Sequence, residues 1–121
     1  MIVITNNPKV RAYFNTCDVQ FVDGNYEAVL IKTRDLVHQN YKLLTHPLSG
    51  SVKPNETPYK SIALEVSNAL DVAGLLLIEN AIEVYGKLQK DARTPNWTER
   101  ILLDFMVIDF DLFKNAVVKA I

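Results

Sequence analysis

Two short β-branched runs, Ile2–Thr5 and Val19–Val22, open the chain, and each is followed by a turn and a capped helical segment. That alternation constrains the fold more than any other feature. Strand–helix–strand units build parallel sheets with helices packed on their faces. Asn6-Asn7-Pro8 leaves the first strand. Asn7 can cap a helix whose first position is Pro8, where a missing N–H costs nothing, and that helix is predicted to reach about Phe14. Asp23-Gly24-Asn25 turns the chain again, and Asn25 or Asp23 caps a helix running to about Gln39. Tyr26, Val29, Leu30, Thr33, Leu36 and Val37 fall on one side of it, and Glu27, Lys32, Arg34, Asp35 and His38 on the other.

A third, short strand is expected at Leu43–Thr45 and a fourth at Ser61–Val66, the latter with Ile62, Leu64 and Val66 on one face and Ala63 and Glu65 on the other. Asp71 caps a helix to about Lys90, whose apolar stripe is Leu75, Ile78, Ala81, Ile82, Tyr85 and Leu88. Thr98 caps a final helix, Glu99–Ala120, which is apolar nearly all round. Leu102, Phe105, Ile108, Leu112, Phe113, Ala116 and Val117 are assigned to the core, while Leu103, Val107, Phe110 and Val118 point elsewhere. A helix of that kind is buried on more than one side, which predicts a homodimer through the C-terminal helix. Asp109 lies within the apolar arc, either at its edge or paired across that interface, the second reading being preferred. The whole reads as one α/β domain, residues 1–121. Its expected core is a small, mostly parallel four-stranded sheet flanked by helices, a Rossmann-like half, with a long polar loop after the third strand. The fourth strand either returns antiparallel as a sheet edge or crosses over through that loop.

Charge and cysteine content remove several functions. A formal net charge of −1 provides no basic footprint for nucleic acid or an anionic membrane. No apolar run is long enough to span a bilayer, and the start MIVITNNP lacks a basic leader pattern. Cys17 is the single cysteine, so no internal disulfide forms, and a reducing cytoplasm is the expected location.

The functional signal lies in Thr45–Lys60, a polar, proline-rich stretch between apolar runs. Long loops without secondary structure are uncommon in compact domains and are often functional. If the strand order is 2-1-3-4, this stretch and Asn6-Asn7 leave the same rim of the sheet, where open α/β sheets bind ligands. The expected ligand-binding residues are Asn6, Asn7, His46, Ser49, Gly50, Ser51, Lys53, Asn55, Glu56, Thr57 and Lys60. Ser49-Gly50-Ser51 can offer N–H groups and hydroxyls to an anion, with charge from Lys53 and Lys60. The glycine spacing of a phosphate loop or dinucleotide fingerprint is missing. His46 with Glu56 has the residue types for acid–base chemistry, and Ser49 those of a nucleophile, but without a Gly-x-Ser-x-Gly elbow. His46, Glu56, Glu79 and Glu83 lack metal-ligand spacing, and neither a metal nor a cofactor is assigned.

Thr5-Asn6-Asn7-Pro8, together with His46-Pro47-Leu48-Ser49-Gly50-Ser51 running into Lys53-Pro54-Asn55-Glu56-Thr57-Pro58-Tyr59-Lys60-Ser61, resembles the GrdX family, as does Ile78-Glu79-Asn80. The resemblance covers most of the chain, and the long loop is its specific part. It implies a cytoplasmic accessory protein encoded beside glycine, sarcosine and betaine reductase components, whose metabolism yields acetyl phosphate. It carries no catalytic residues with it. A small anionic metabolite and a glycine reductase component are the partners it implies.

Overall fold

The computed structural model describes residues 1–48, 57–91 and 97–120. Its elements are β1 (Ile2–Thr5), α1 (Pro8–Tyr13), β2 (Asp18–Phe21), α2 (Tyr26–His38), β3 (Tyr41–Leu43), β4 (Ser61–Val66), α3 (Val72–Asp91) and α4 (Glu99–Ala120). The helix starts follow from their caps. Asn7 accepts from the Lys9 N–H ahead of Pro8, and Asn25 accepts from the Ala28 N–H. One carboxylate oxygen of Asp71 takes the Gly74 N–H at the start of α3 and the other takes the Leu43 N–H, which ties that helix to β3. Gly24 is required by space, since a Cβ there would lie 2.9 Å from that of Ala28.

The four strands form one sheet in the order β2-β1-β4-β3. β1 pairs parallel with β2, whereas β4 runs antiparallel to both β1 and β3. The expectation of a mostly parallel sheet is therefore corrected to a mixed one, and β4 lies inside the sheet rather than at its edge. An antiparallel neighbour needs no crossover helix. Placement follows burial: Ser61–Leu64 of β4 is buried throughout, while β3 is only three residues long with Lys42 exposed, which suits an edge. β3 also begins two residues earlier than expected, at Tyr41, and β2 one residue earlier, at Asp18.

Because β1 and β3 both oppose β4, they share a direction with β2, and all three end at one rim. Helices cover both faces. Ile2, Ile4, Ile62 and Leu64 pack against α2 and α3, while Val3 and Ala63 pack against Val10, Phe14, Phe113 and Val117 of the α1–α4 side. The six residues assigned to the inner side of α2 are all buried. For α4 the assignment needs correction, since Ile108 and Leu112 are 43% and 41% exposed and the packed arc centres on Asp109, Phe113 and Val117.

Asn40, following the α2 cap, has φ 66. Its N–H donates to Val37 O, and its carbonyl accepts from Ser67 N–H. Left-handed backbone suits Asn or Gly and penalises a Cβ-bearing residue without a local polar group. Asn40→Ala is expected to lose about 1 kcal/mol in urea unfolding, and Asn40→Gly to stay within a few tenths of the parent.

Candidate functional site

The rim at the carboxyl ends of β1, β2 and β3 is where the polar segments meet. Asn6 joins three of them. Its Nδ2 donates to Gly24 O at 3.0 Å and Pro58 O at 2.8 Å, and its Oδ1 accepts from Lys60 N–H at 2.9 Å. Asn7 points to the α4 side. Its Nδ2 donates to Met106 O at 2.9 Å and to Asp109 Oδ2 at 3.0 Å, and its Oδ1 caps α1. Both residues are buried.

Asp109 is the partner that sequence reasoning misassigned. It is 8% exposed within this single chain and faces the sheet, so its pairing is internal rather than across a subunit interface. Ser61 Oγ donates to the same Oδ2 at 2.8 Å. Thr5 Oγ1 lies 2.7 Å from Ser61 Oγ and accepts from Asn7 N–H. Because the Ser61 hydroxyl hydrogen lies on Asp109, Thr5 donates to Ser61 and the Asn7 N–H to Thr5, a one-way chain of donors ending on the acid. Burial pushes the Asp109 carboxyl above its usual range, and the Asn7 and Ser61 hydrogen bonds and the Lys60 charge oppose that. The one available sequence signal was an acid inside an apolar helical arc.

Lys60 is 4% exposed, and its Nζ donates to His46 O at 3.5 Å. Burial pushes its amine down to about 8, with the Asp109 charge opposing. His46 is exposed, and its Nδ1 accepts from Leu48 N–H at 3.0 Å, leaving the neutral ring's proton on Nε2.

On the α2–α3 side of Asn6 lies a cavity of about 350 Å³. Asn6 and the α2 start (Gly24, Asn25 and Tyr26) bound it on one side, Thr57–Tyr59 on another, and Tyr85, Gln89 and Trp97 also line it. Tyr26 and Tyr85 stack with centroids 5.6 Å apart, and the Tyr26 hydroxyl donates to Pro47 O at 3.4 Å. Burial raises the pKa of both, and the Asp109 charge adds to the effect on Tyr26. Of the expected ligand-binding residues, Asn6 and Thr57 line this cavity. Asn7, His46 and Lys60 are not among its described lining residues. Ser49, Gly50, Ser51, Lys53, Asn55 and Glu56 fall outside the described residues. Glu79 lies 3.9 Å from Arg34, and Glu83 pairs with Lys87 at 3.1 Å. Among the described residues no group of three or more His, Cys, Asp or Glu could hold a metal, and no helix is long and apolar enough to cross a membrane.

The family model described as GrdX-like protein matches residues 2–118. The chain belongs to the GrdX-like family. No curated protein and no solved structure gives a match. The matched span holds every element of this GrdX-like fold except the last two residues of α4, so the rim, the Asp109 cluster and the cavity all lie within it.

The buried lysine gives a pH test. The unfolded chain holds the Lys60 proton to about pH 10.5 and the folded chain to about 8, so the unfolded state binds more protons in between. Stability then rises with pH across that window, by about 3 kcal/mol in full. Urea midpoints measured from about pH 7.5 to 9.5 are expected to climb in the parent and to stay flat in Lys60→Met. Equal slopes in the two proteins would contradict this origin.

Proposed function

We propose that this protein is a cytoplasmic accessory protein of glycine, sarcosine and betaine reductase metabolism. It binds a small anionic metabolite at the carboxyl edge of the sheet. The family membership supports the metabolic context. The observation that carries the binding role is the cavity between Asn6, the start of α2 and Thr57–Tyr59. Its volume falls in the range of small-molecule sites. The first-turn N–H groups of Tyr26 and Glu27 have no acceptor within the helix, which favours a carboxylate at that end. A binding role fits better than catalysis by His46, because that ring is exposed and its Nδ1 is already engaged by the loop backbone.

A second surface supports association. Leu103 and Val107 of α4 are 55% and 46% exposed, and Ile101, Ile108, Leu112 and Val118 are exposed with them. Two solvent-facing apolar strips on one long helix, Leu103, Val107 and Val118 on one and Ile101, Ile108 and Leu112 on the other, favour a homodimer through α4, with a reductase component as the other reading of the same surface.

Native mass spectrometry of the protein purified from its source tests both parts. The expected species is twice the 13.7 kDa chain mass plus a retained small molecule. Thr57→Trp, which fills the cavity, is expected to lose the small molecule and keep the dimer, and Val107→Glu to do the reverse. A ligand-free parent, or a ligand retained after the cavity is filled, would count against the binding role.

A further inference from the structure

The α1–α4 face carries an apolar strip with opposite charge on its two sides. Leu103, Val107 and Val118 are exposed along α4, and at about 100° per residue they fall between Phe110 on one side and Asp104 and Asp111 on the other. The Phe110 side faces α1, where the exposed Tyr13 ring meets Phe110 edge to face at 5.0 Å. That side is positive. Lys9 Nζ lies 5.2 Å from the Phe110 ring centroid, and Lys114 Nζ lies 5.2 Å from that of Tyr13 and 5.8 Å from that of Phe110. The rings thus draw both ammoniums toward α1, although the Lys114 backbone lies within the strip. Asp104 and Asp111 are exposed on the far side. None of these four charged residues forms an ion pair among the described residues.

A second copy can seat on this strip in two ways. A two-fold axis across α4 packs the helices antiparallel and, in any register, sets each flank against the same flank of the other copy. Cations then face cations and carboxylates face carboxylates, which weakens the pair. A two-fold axis along α4 packs the helices parallel and sets each flank against the opposite one. Lys9 and Lys114 reach the level of Phe110, one residue from Asp111, so the cations of each copy face Asp111 of the other, twice over by symmetry. In the first turn the signs reverse, with Glu99 on the Phe110 side and Arg100 toward the acids, and the same axis matches them. Resting on the reading of α4 as a homodimer surface, we infer that the second copy docks on the Leu103–Val107–Val118 strip with the two α4 helices parallel. Lys9 and Lys114 of each copy then pair with the Asp104–Asp111 flank of the other. Rotation about that axis leaves both sheet rims, and so both cavities, at one level along α4.

Cysteine cross-linking reads the helix direction. Leu103 and Val118 lie about 22 Å apart along α4. In an antiparallel pair at least one of them is therefore about 22 Å or more from its own copy, far outside the reach of a disulfide. In full-length chains carrying Cys17→Ser, Leu103→Cys and Val118→Cys are each expected to give disulfide-linked dimers on mild oxidation. Charge reversal gives a second readout. Lys9→Glu and Asp111→Lys are each expected to weaken the dimer about tenfold by sedimentation, and the double variant to recover most of the parent affinity. Circular dichroism checks that these variants are folded. A stable dimer in which either cysteine fails to link to its own copy would overturn the parallel arrangement and leave the homodimer standing, as would a Leu103→Cys chain that links to a Val118→Cys chain. A parent chain that sediments as a 13.7 kDa monomer would remove the homodimer together with the inference.

Discussion

Both hydrogens of a buried side-chain amide must find acceptors, and Asn6 and Asn7 meet that demand by extending the connections of β1 beyond the end of its ladder to segments on both faces of the sheet. One amide bridges the β2–α2 turn to the residues entering β4. The other bridges the end of β1 to the middle of α4. Each hydrogen bond adds only about 1 kcal/mol net, but a lost partner strands buried polar atoms at greater cost. The two residues therefore act as a fastening whose failure would open the rim on both faces. Gly24 and Pro58, the two acceptors of the Asn6 amide, both line the cavity.

The Asp109 cluster is the less economical part of the design. Moving a carboxylate and an ammonium from water into the protein is costly, and their attraction repays that only partly. The directions of the Asp109 and Lys60 shifts agree on this, since burial pushes each toward its neutral form and dominates the other's charge. In return α4 is fixed in rotation. Only one helical phase puts Asp109 against Ser61 and Asn7, and that phase turns Ile108 and Leu112 outward. An apolar residue at position 109 would let neighbouring phases compete.

Local chemistry was legible in the sequence. The Asn7 and Asn25 caps, the α2 stripe and the extent of α4 all depend on residues within a few positions of one another. Strand order was not legible, because β4 reaches the centre through pairings with β1 and β3 that no local pattern encodes. The end of β3 slipped for a related reason. Leu44 N–H still donates to Ala63 O, and Thr45 Oγ1 accepts from Ala63 N–H, so those residues keep strand-like partners beyond the ladder. The shared rim was foreseen, though on a different strand order. Tyr26 and Tyr85 belong to the core, as their apolar stripes imply, and also border the cavity, which nothing local in the sequence distinguishes. Much of the long loop, including Ser49–Ser51, lies outside the described residues.

If the Asn6 amide holds the rim together, amide hydrogen exchange in Asn6→Ala will register its loss. Lys60 N–H, whose acceptor is the Asn6 Oδ1, is expected to lose its protection along with the start of β4. Global stability should fall by roughly 2–4 kcal/mol as two carbonyls and one N–H lose their partner. Unchanged protection at Lys60, with stability within roughly 0.5 kcal/mol of the parent, would contradict it.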